Sequence, residues 1–311
     1  MAGMRYPGYP PDKNDKSPGL SLMLSLALNT ATHPLTTVKV LVQVGHEPLP
    51  AVASKTIFGN PVMKLPGLLE YGKHIKKTDG FFGLYRGLVP RLVCGVIGSF
   101  VNDATLEALQ SKDDPLSESF GLEPVEKEFK DEVKDFTIET CKQTAAKCIA
   151  VMVSHPFQVI TVRMIVQYVG KETIYSGMFS SIREVFNNHG IFGFFDGVVP
   201  RLVGEVLSLW IYRTLHFFIT QYGLDKEMAA RKEINIYTTA LSQWLSSLVT
   251  YPFTLVSNVM ITNHVGLVAG EPPAMPVYTD WVDCFKQLRS SGDLWRGSSL
   301  LRRTAKMNKR K

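Results

Sequence analysis

Apolar residues fall into five long blocks along the chain, each interrupted by small or polar side chains and set apart from the next by charged or glycine-rich stretches. The blocks at 18–45, 88–110, 136–169, 198–223 and 236–265 reach or exceed the ~20 residues a helix needs to cross a bilayer, and they predict five membrane-spanning helices. Between them the periodicity changes. Ile182, Val185 and Phe186 recur at helical spacing beside Arg183 and Glu184, which predicts a short amphipathic helix over 178–189. Counterparts over 68–78 and 280–290 are expected to lie along the membrane surface in the same way. Residues 111–135 read as a charged extramembrane connector and 1–17 as a disordered N-terminal segment.

Two signatures recur. Thr32-His33-Pro34-Leu35 returns as Ser154-His155-Pro156-Phe157 and as Thr250-Tyr251-Pro252-Phe253, at intervals of 122 and 96 residues, each inside an apolar block. The run from Gly80 to Leu92, which includes Gly83, Arg86, Gly87, Pro90 and Arg91, is matched by Gly190 to Leu202 at a constant offset of 110. A fainter copy starts at Gly292 and keeps Arg296 and Gly297. The chain therefore divides into repeat 1 (18–110), repeat 2 (136–223) and an incomplete repeat 3 (236–293), followed by a basic tail over 294–311. Proline inside a helix removes one backbone hydrogen bond and kinks the helix. Each of Pro34, Pro156 and Pro252 could simply bend a packed helix; three at equivalent places imply pseudo-threefold symmetry. The neighbouring His33, His155 and Tyr251 complete the kink motif, and the histidines read as hydrogen-bonding partners of the kink more readily than as metal ligands.

Composition sharpens this picture at one point. Hydrophobic residues make up 45% of the 311 residues, yet mean hydropathy is only +0.03, too low for helices that all face lipid. Polar residues must lie within the apolar blocks, and they do: Lys39 in the first, Asn102 and Asp103 in the second, Lys142 and Lys147 in the third, Glu205 and Arg213 in the fourth, Asn258 in the fifth. An ionisable side chain at mid-bilayer costs at least ~2.5–3.5 kcal/mol, so these eight are candidates to line a hydrated groove or to pair with one another. Local alternatives are an ion pair for Glu205, snorkelling for Lys39, an interfacial place for Asp103 and helix-end anchoring for Arg91 and Arg201.

The net charge of +6 suits an anionic lipid surface or nucleic acid. The tail residues Arg302, Arg303, Lys306, Lys309, Arg310 and Lys311 lack interleaved aromatics and point to lipid. Four cysteines without C-x-x-C spacing indicate neither a zinc site nor a disulfide framework. No phosphate-binding loop, dinucleotide fingerprint, nucleophile elbow or H-E-x-x-H motif is present, so no enzyme activity, cofactor or metal is expected.

The proline motifs resemble those of the mitochondrial carrier family, whose odd-numbered helices carry Pro-x-[Asp/Glu]-x-x-[Lys/Arg]. Here the acidic position holds Thr36, Gln158 and Thr254, and the basic one holds Lys39, Thr161 and Ser257, so one of six ionic positions keeps its charge. In the family those charges form the ion-pair ring that opens and closes one side of the cavity. Together with Gly45-His-Glu-Pro48-Leu-Pro50, the Val-Val-Pro-Arg-Leu run at 198–202 and Tyr251 to Asn258, the chain resembles the carrier-homolog branch. That resemblance implies an all-α, multi-pass protein of the mitochondrial outer membrane with carrier-like pseudo-threefold hairpin repeats. The chain departs from that family after Leu300 and Leu301, where no apolar run is long enough for a sixth helix, so five transmembrane helices with the sixth missing and a laterally open groove are expected. The resemblance further implies an insertase for tail-anchored and other α-helical client proteins, with lipid scrambling as a companion activity and membrane lipids as partners. Two alternatives stand beside it: a scaffold docking soluble partners through the connector or the 266–278 loop, and a solute transporter of the carrier type.

Overall fold

The computed structural model of the chain describes residues 18–55, 61–110, 129–223, 232–299 and 303–305. Eight α-helices are present among them: α1 (Pro18–Gln43), α2 (Leu68–Gly83), α3 (Leu88–Gln110), α4 (Phe129–Val166), α5 (Met178–His189), α6 (Val198–Tyr222), α7 (Lys232–Thr262) and α8 (Trp281–Ser291). Pro34, Pro156 and Pro252 lie inside α1, α4 and α7. The residues 1–17 and half of the tail lie outside the described residues, as does the connector up to residue 128.

Three expectations need correction. Of the five predicted spans, α3, α4, α6 and α7 contain a stretch long and apolar enough to cross a membrane. The polar side chains at Asn29, Thr30, Thr32, His33, Thr36, Thr37 and Lys39 dilute α1 below that level. The connector is shorter than expected because α4 begins at Phe129, where Asp131 and Glu132 occupy the first turn and favour the positive end of the helix dipole. The third concerns the loop after α1 and the tail, which form a three-stranded antiparallel sheet. β1 (Val52–Lys55) pairs with β2 (Pro61–Leu65), and β2 pairs with β3 (Arg303–Ala305) in the register Met63↔Ala305, Leu65↔Arg303. Arg303 is not a solvated tail residue. It is 7% exposed, ion-paired to Glu47, and donates to the Pro66 carbonyl at 3.0 Å.

The chain forms two compact units, one drawn from Met1–Val96, Pro156–Gly197 and Leu255–Lys311, the other from Ile97–His155 and Val198–Thr254. The core of the first unit gathers the ends of the three kinked helices: Val38, Leu41 and Val44 of α1 or just beyond it, Val159, Val162 and Ile165 of α4, and Ile261 of α7. Leu68, Tyr71 and Ile75 of α2 and Val185 of α5 close over it. Residues 266–278, the loop that the scaffold alternative would use, are packed into the first unit, where Leu267, Ala269, Met275 and Tyr278 are all buried. Asn263 holds the loop by donating to the Tyr278 carbonyl at 2.7 Å and accepting from its N–H at 3.2 Å.

The glycine turns explain why the repeats interlock. Gly197 has φ +70, and a Cβ there would lie 2.5 Å from the Ser257 carbonyl oxygen on α7. Gly87, at φ +74, approaches the Thr161 carbonyl of α4 in the same way, with 2.9 Å to a would-be Cβ. Each turn thus packs on the backbone of the next kinked helix, and only glycine tolerates both the left-handed φ and the close approach. Repeat 3 closes back on repeat 1, where the Arg296 guanidinium donates to the Gln43 carbonyl at the end of α1.

Candidate functional site

The positions that carry ion pairs in the family motif are used differently in the first unit. Thr161 Oγ1 donates to the Phe157 carbonyl of its own helix at 2.7 Å, and Ser257 Oγ donates to the Gly197 carbonyl at 2.8 Å. Asn258, expected in a hydrated groove, is 5% exposed, and its amide donates to Gln43 Oε1 at 2.8 Å. Packing shields it from water on the side of α1. Lys39 is half-buried in the same unit. The dominant charge there is one that sequence reasoning missed. Arg163 is fully buried, with Nη2 2.6 Å from Asp196 Oδ2 and 3.3 Å from the Gly193 carbonyl, while Nε donates to the Ile261 carbonyl at 3.3 Å. A basic residue in the last turn of α4 reads as an exposed helix end; its burial depends on α7 and on the turn after α5.

The two kink histidines tie Pro34 and Pro156 to the hairpin that follows each. His33 is buried, its Nε2–H donates to the Arg86 carbonyl at 2.8 Å, and its ring stacks on Tyr85. His155 Nδ1 accepts from the Arg201 guanidinium at 3.1 Å. Tyr251 is buried.

The second unit holds the remaining candidates. Along α6 a series of polar side chains reaches neighbouring helices on two sides. Toward α4, Glu205 pairs with Lys147 at 3.2 Å, Trp210 Nε1 donates to Thr144 Oγ1 at 3.1 Å, the Arg213 guanidinium lies 5.5 Å from the Phe136 ring, and Gln221 donates to Glu132 at 3.0 Å. Toward α7, Ser208 and Ser246 exchange hydroxyl and carbonyl bonds at 2.8 and 2.7 Å, and the His216 Nε2–H donates to Asn235 Oδ1 at 2.9 Å. Lys142 is half-buried on α4. Asn102 donates to Asp103 at 3.3 Å on α3, a local contact that joins neither to another helix. The structure therefore brings together Lys147, Glu205 and Arg213 around α6 and leaves Asn102 and Asp103 as a separate pair. The added members Trp210, Ser208, His216, Thr144 and Asn235 left a faint trace in the sequence, as single polar residues within the apolar runs of α4, α6 and α7.

Long helices kinked by proline, joined through surface helices and glycine turns and carrying polar side chains inside apolar spans, define a multi-helix membrane protein of the carrier-repeat type. The family profile of Mitochondrial carrier protein matches residues 20–112 and 136–223. Human Mitochondrial carrier homolog 2 is 41% identical over 288 residues, which cover 93% of this chain and 94% of that protein. Mouse Mitochondrial carrier homolog 1 is 35% identical over 319 residues, covering 94% and 78%. Mitochondrial nicotinamide adenine dinucleotide transporter 1 of Saccharomyces cerevisiae is 25% identical over 218 residues, covering 68% and 54%. The chain belongs to the mitochondrial carrier family, in its carrier-homolog branch, and is a mitochondrial membrane protein.

Proposed function

We propose that this chain is an insertase of the mitochondrial outer membrane for tail-anchored and other α-helical clients, and that the same surface scrambles lipid. The observation that carries the reading is the Lys147–Glu205 pair. Both side chains lie within apolar spanning helices, and they remain 40% and 37% exposed. Charges held at such a place against hydrocarbon would each cost at least ~2.5–3.5 kcal/mol, so water reaches them. A hydrated face on α4 and α6 lowers the barrier for carrying the short polar end of a client through the bilayer while its apolar helix remains in lipid. A phospholipid headgroup can follow the same path.

A second feature supports a lateral opening. The first half of α1 is bare on most sides, with Leu20, Met23, Leu24 and Leu28 between 51% and 69% exposed, and no sixth long helix covers it among the described residues. Such a face is open to lipid or to a client helix.

Solute transport, which the family as a whole favours, demands a set of ion pairs that break and reform. Here five of the six motif positions are uncharged, and the Thr161 and Ser257 hydroxyls are committed to backbone carbonyls. A docking scaffold would need no hydrated face in its spans. The test is insertion of a tail-anchored substrate into liposomes holding the purified chain, with Glu205→Arg and Lys39→Glu compared at matched reconstitution. Acceleration by the unaltered chain and a changed rate in either variant support insertion. Rates equal to empty liposomes in all three reject it.

A further inference from the structure

The sheet of the first unit runs in the order β1-β2-β3, so β2 is flanked on both sides while β1 is an edge, and no strand pairs with its outer side among the described residues. Alternate residues of an edge strand turn their N–H and C=O groups away from the sheet, where they form a template for one more strand. Val52 is 64% exposed, and Ala53 and Lys55 are exposed beside it. Directly paired residues share a face of the sheet, which puts Val52, Lys64 and Thr304 on one face and Leu65 with the buried Arg303 on the other. On the first of these faces, Val52, Ser54 and Lys64 frame an open depression with Pro66 and Glu70 of the chain entering α2.

Charge decides what can lie along this edge. The carboxylates nearby are already engaged: Glu47 is ion-paired to Arg303, and Glu70 accepts from the Gly67 N–H at 3.1 Å. Lys55 of β1, Lys64 of β2 and Lys73 of α2 are exposed and have no ion-pair partner among the described residues. All three lie outside the spans that are long and apolar enough to cross a membrane. A lysine on an edge strand turns away strands of like charge, and a second copy of this chain would bring the same lysines to the seam. An acidic strand meets the opposite situation. Laid beside β1, it has Lys55 on the adjacent strand and Lys64 one strand further, at about 5 and 10 Å by the usual strand spacing, both within the combined reach of lysine and glutamate side chains. Main-chain bonds to the edge would supply affinity, and the lysines would select the partner's charge.

We propose that β1 is a docking edge that takes an acidic segment of a partner protein, in extended form, as a fourth strand. Neither the face of α4 and α6 nor client insertion takes part, so docking and insertase activity can fail separately.

The experiment uses the full chain in phosphatidylcholine nanodiscs and a short fluorescent peptide of valine and glutamate, with glutamates on both faces when extended. Polarisation should show saturable binding, and a peptide with lysine in place of glutamate should not bind. Hydrogen exchange across 51–55 should slow when the acidic peptide is added, while exchange in α2 stays as it was; this readout requires no variant. Lys55→Glu combined with Lys64→Glu should weaken binding about tenfold or more, because each reversal replaces an attraction by a repulsion. Lys286→Glu, an equally exposed position on α8, should leave binding unchanged. The proposal is overturned if the peptide does not bind, or binds without slowing exchange in β1, since contact with a basic surface alone does that. It is overturned equally if exchange in β1 slows without peptide as the discs are concentrated, which marks a second copy as the occupant, or if phosphatidylserine in the disc displaces the peptide, which gives the lysines to the membrane.

Discussion

Arg163 is the most demanding charge in the first unit, and removing its carboxylate partner is the most informative perturbation. Asp196→Ala leaves a fully buried guanidinium with no carboxylate, and with the neutral Gly193 and Ile261 carbonyls and the Tyr175 hydroxyl around it. Breaking a buried pair from one side costs about 3–5 kcal/mol, because the remaining charge has lost its compensation. Arg163→Met acts differently: the stem's apolar volume is largely kept, and the Asp196 carboxylate, 39% exposed, stays in reach of water. What remains is the loss of a donor to two carbonyls, about 1–3 kcal/mol. The double variant should then be less damaged than the two single losses added together, with a coupling of about 2–3 kcal/mol. Unfolding can be followed in mixed micelles with a thiol-reactive dye after the exposed Cys141 is blocked. Burial pushes the Cys284 thiol up to about 12, so it reacts only when its surroundings open. A cost below about 1 kcal/mol for Asp196→Ala, or additivity within about 0.5 kcal/mol, would refute the assignment of Arg163 as a charge held by Asp196.

Three further outcomes are expected. Gly197→Ala should destabilise strongly, since left-handed strain of about 1–2 kcal/mol adds to a clash with the Ser257 carbonyl; Gly190→Ala, with φ +64 and open space around it, should show the strain alone in the same unfolding assay. His46 and His189 are both held below the ordinary histidine value of 6.5, chiefly by burial, with His74 and Arg163 respectively adding repulsion. The folded chain therefore keeps them neutral while the unfolded chain takes up protons, so thermal stability should rise from about pH 5 to about pH 7.5, and His46→Asn with His189→Asn should flatten that slope. The exchange Lys147→Glu with Glu205→Lys should change stability by less than about 1 kcal/mol, as suits a pair this exposed. In the liposome assay, that exchange should restore more of the insertion rate than either single reversal retains.

Local chemistry made the repeats legible. Proline and glycine act where they stand, so Pro34, Pro156, Pro252, Gly87 and Gly197 announced kinks and turns without knowledge of their neighbours. The polar positions inside apolar blocks were equally visible, because the cost of placing Lys147 or Glu205 in hydrocarbon does not depend on the fold. Which of them meet was not visible. Nothing near Glu205 in the chain indicates that Lys147, on another helix, will lie 3.2 Å away, and the burial of Arg163 depends on Gly193, Asp196 and Ile261 arriving from three directions. The sheet was missed for the same reason: Arg303–Ala305 is a three-residue strand that exists only because β2 offers it an edge.

That last pairing bears on how the protein is made. Arg303 meets Glu47 across 256 positions of chain, and Arg296 meets Gln43 across 253. During synthesis the loop after α1 emerges long before its partners, so its strands wait through that interval before their outer edge is covered. Contacts of such separation are slow to form, and an uncovered strand edge invites wrong partners in the meantime. Until residues 296 and 303 have been made, the first unit lacks the two contacts that join the end of repeat 3 to repeat 1.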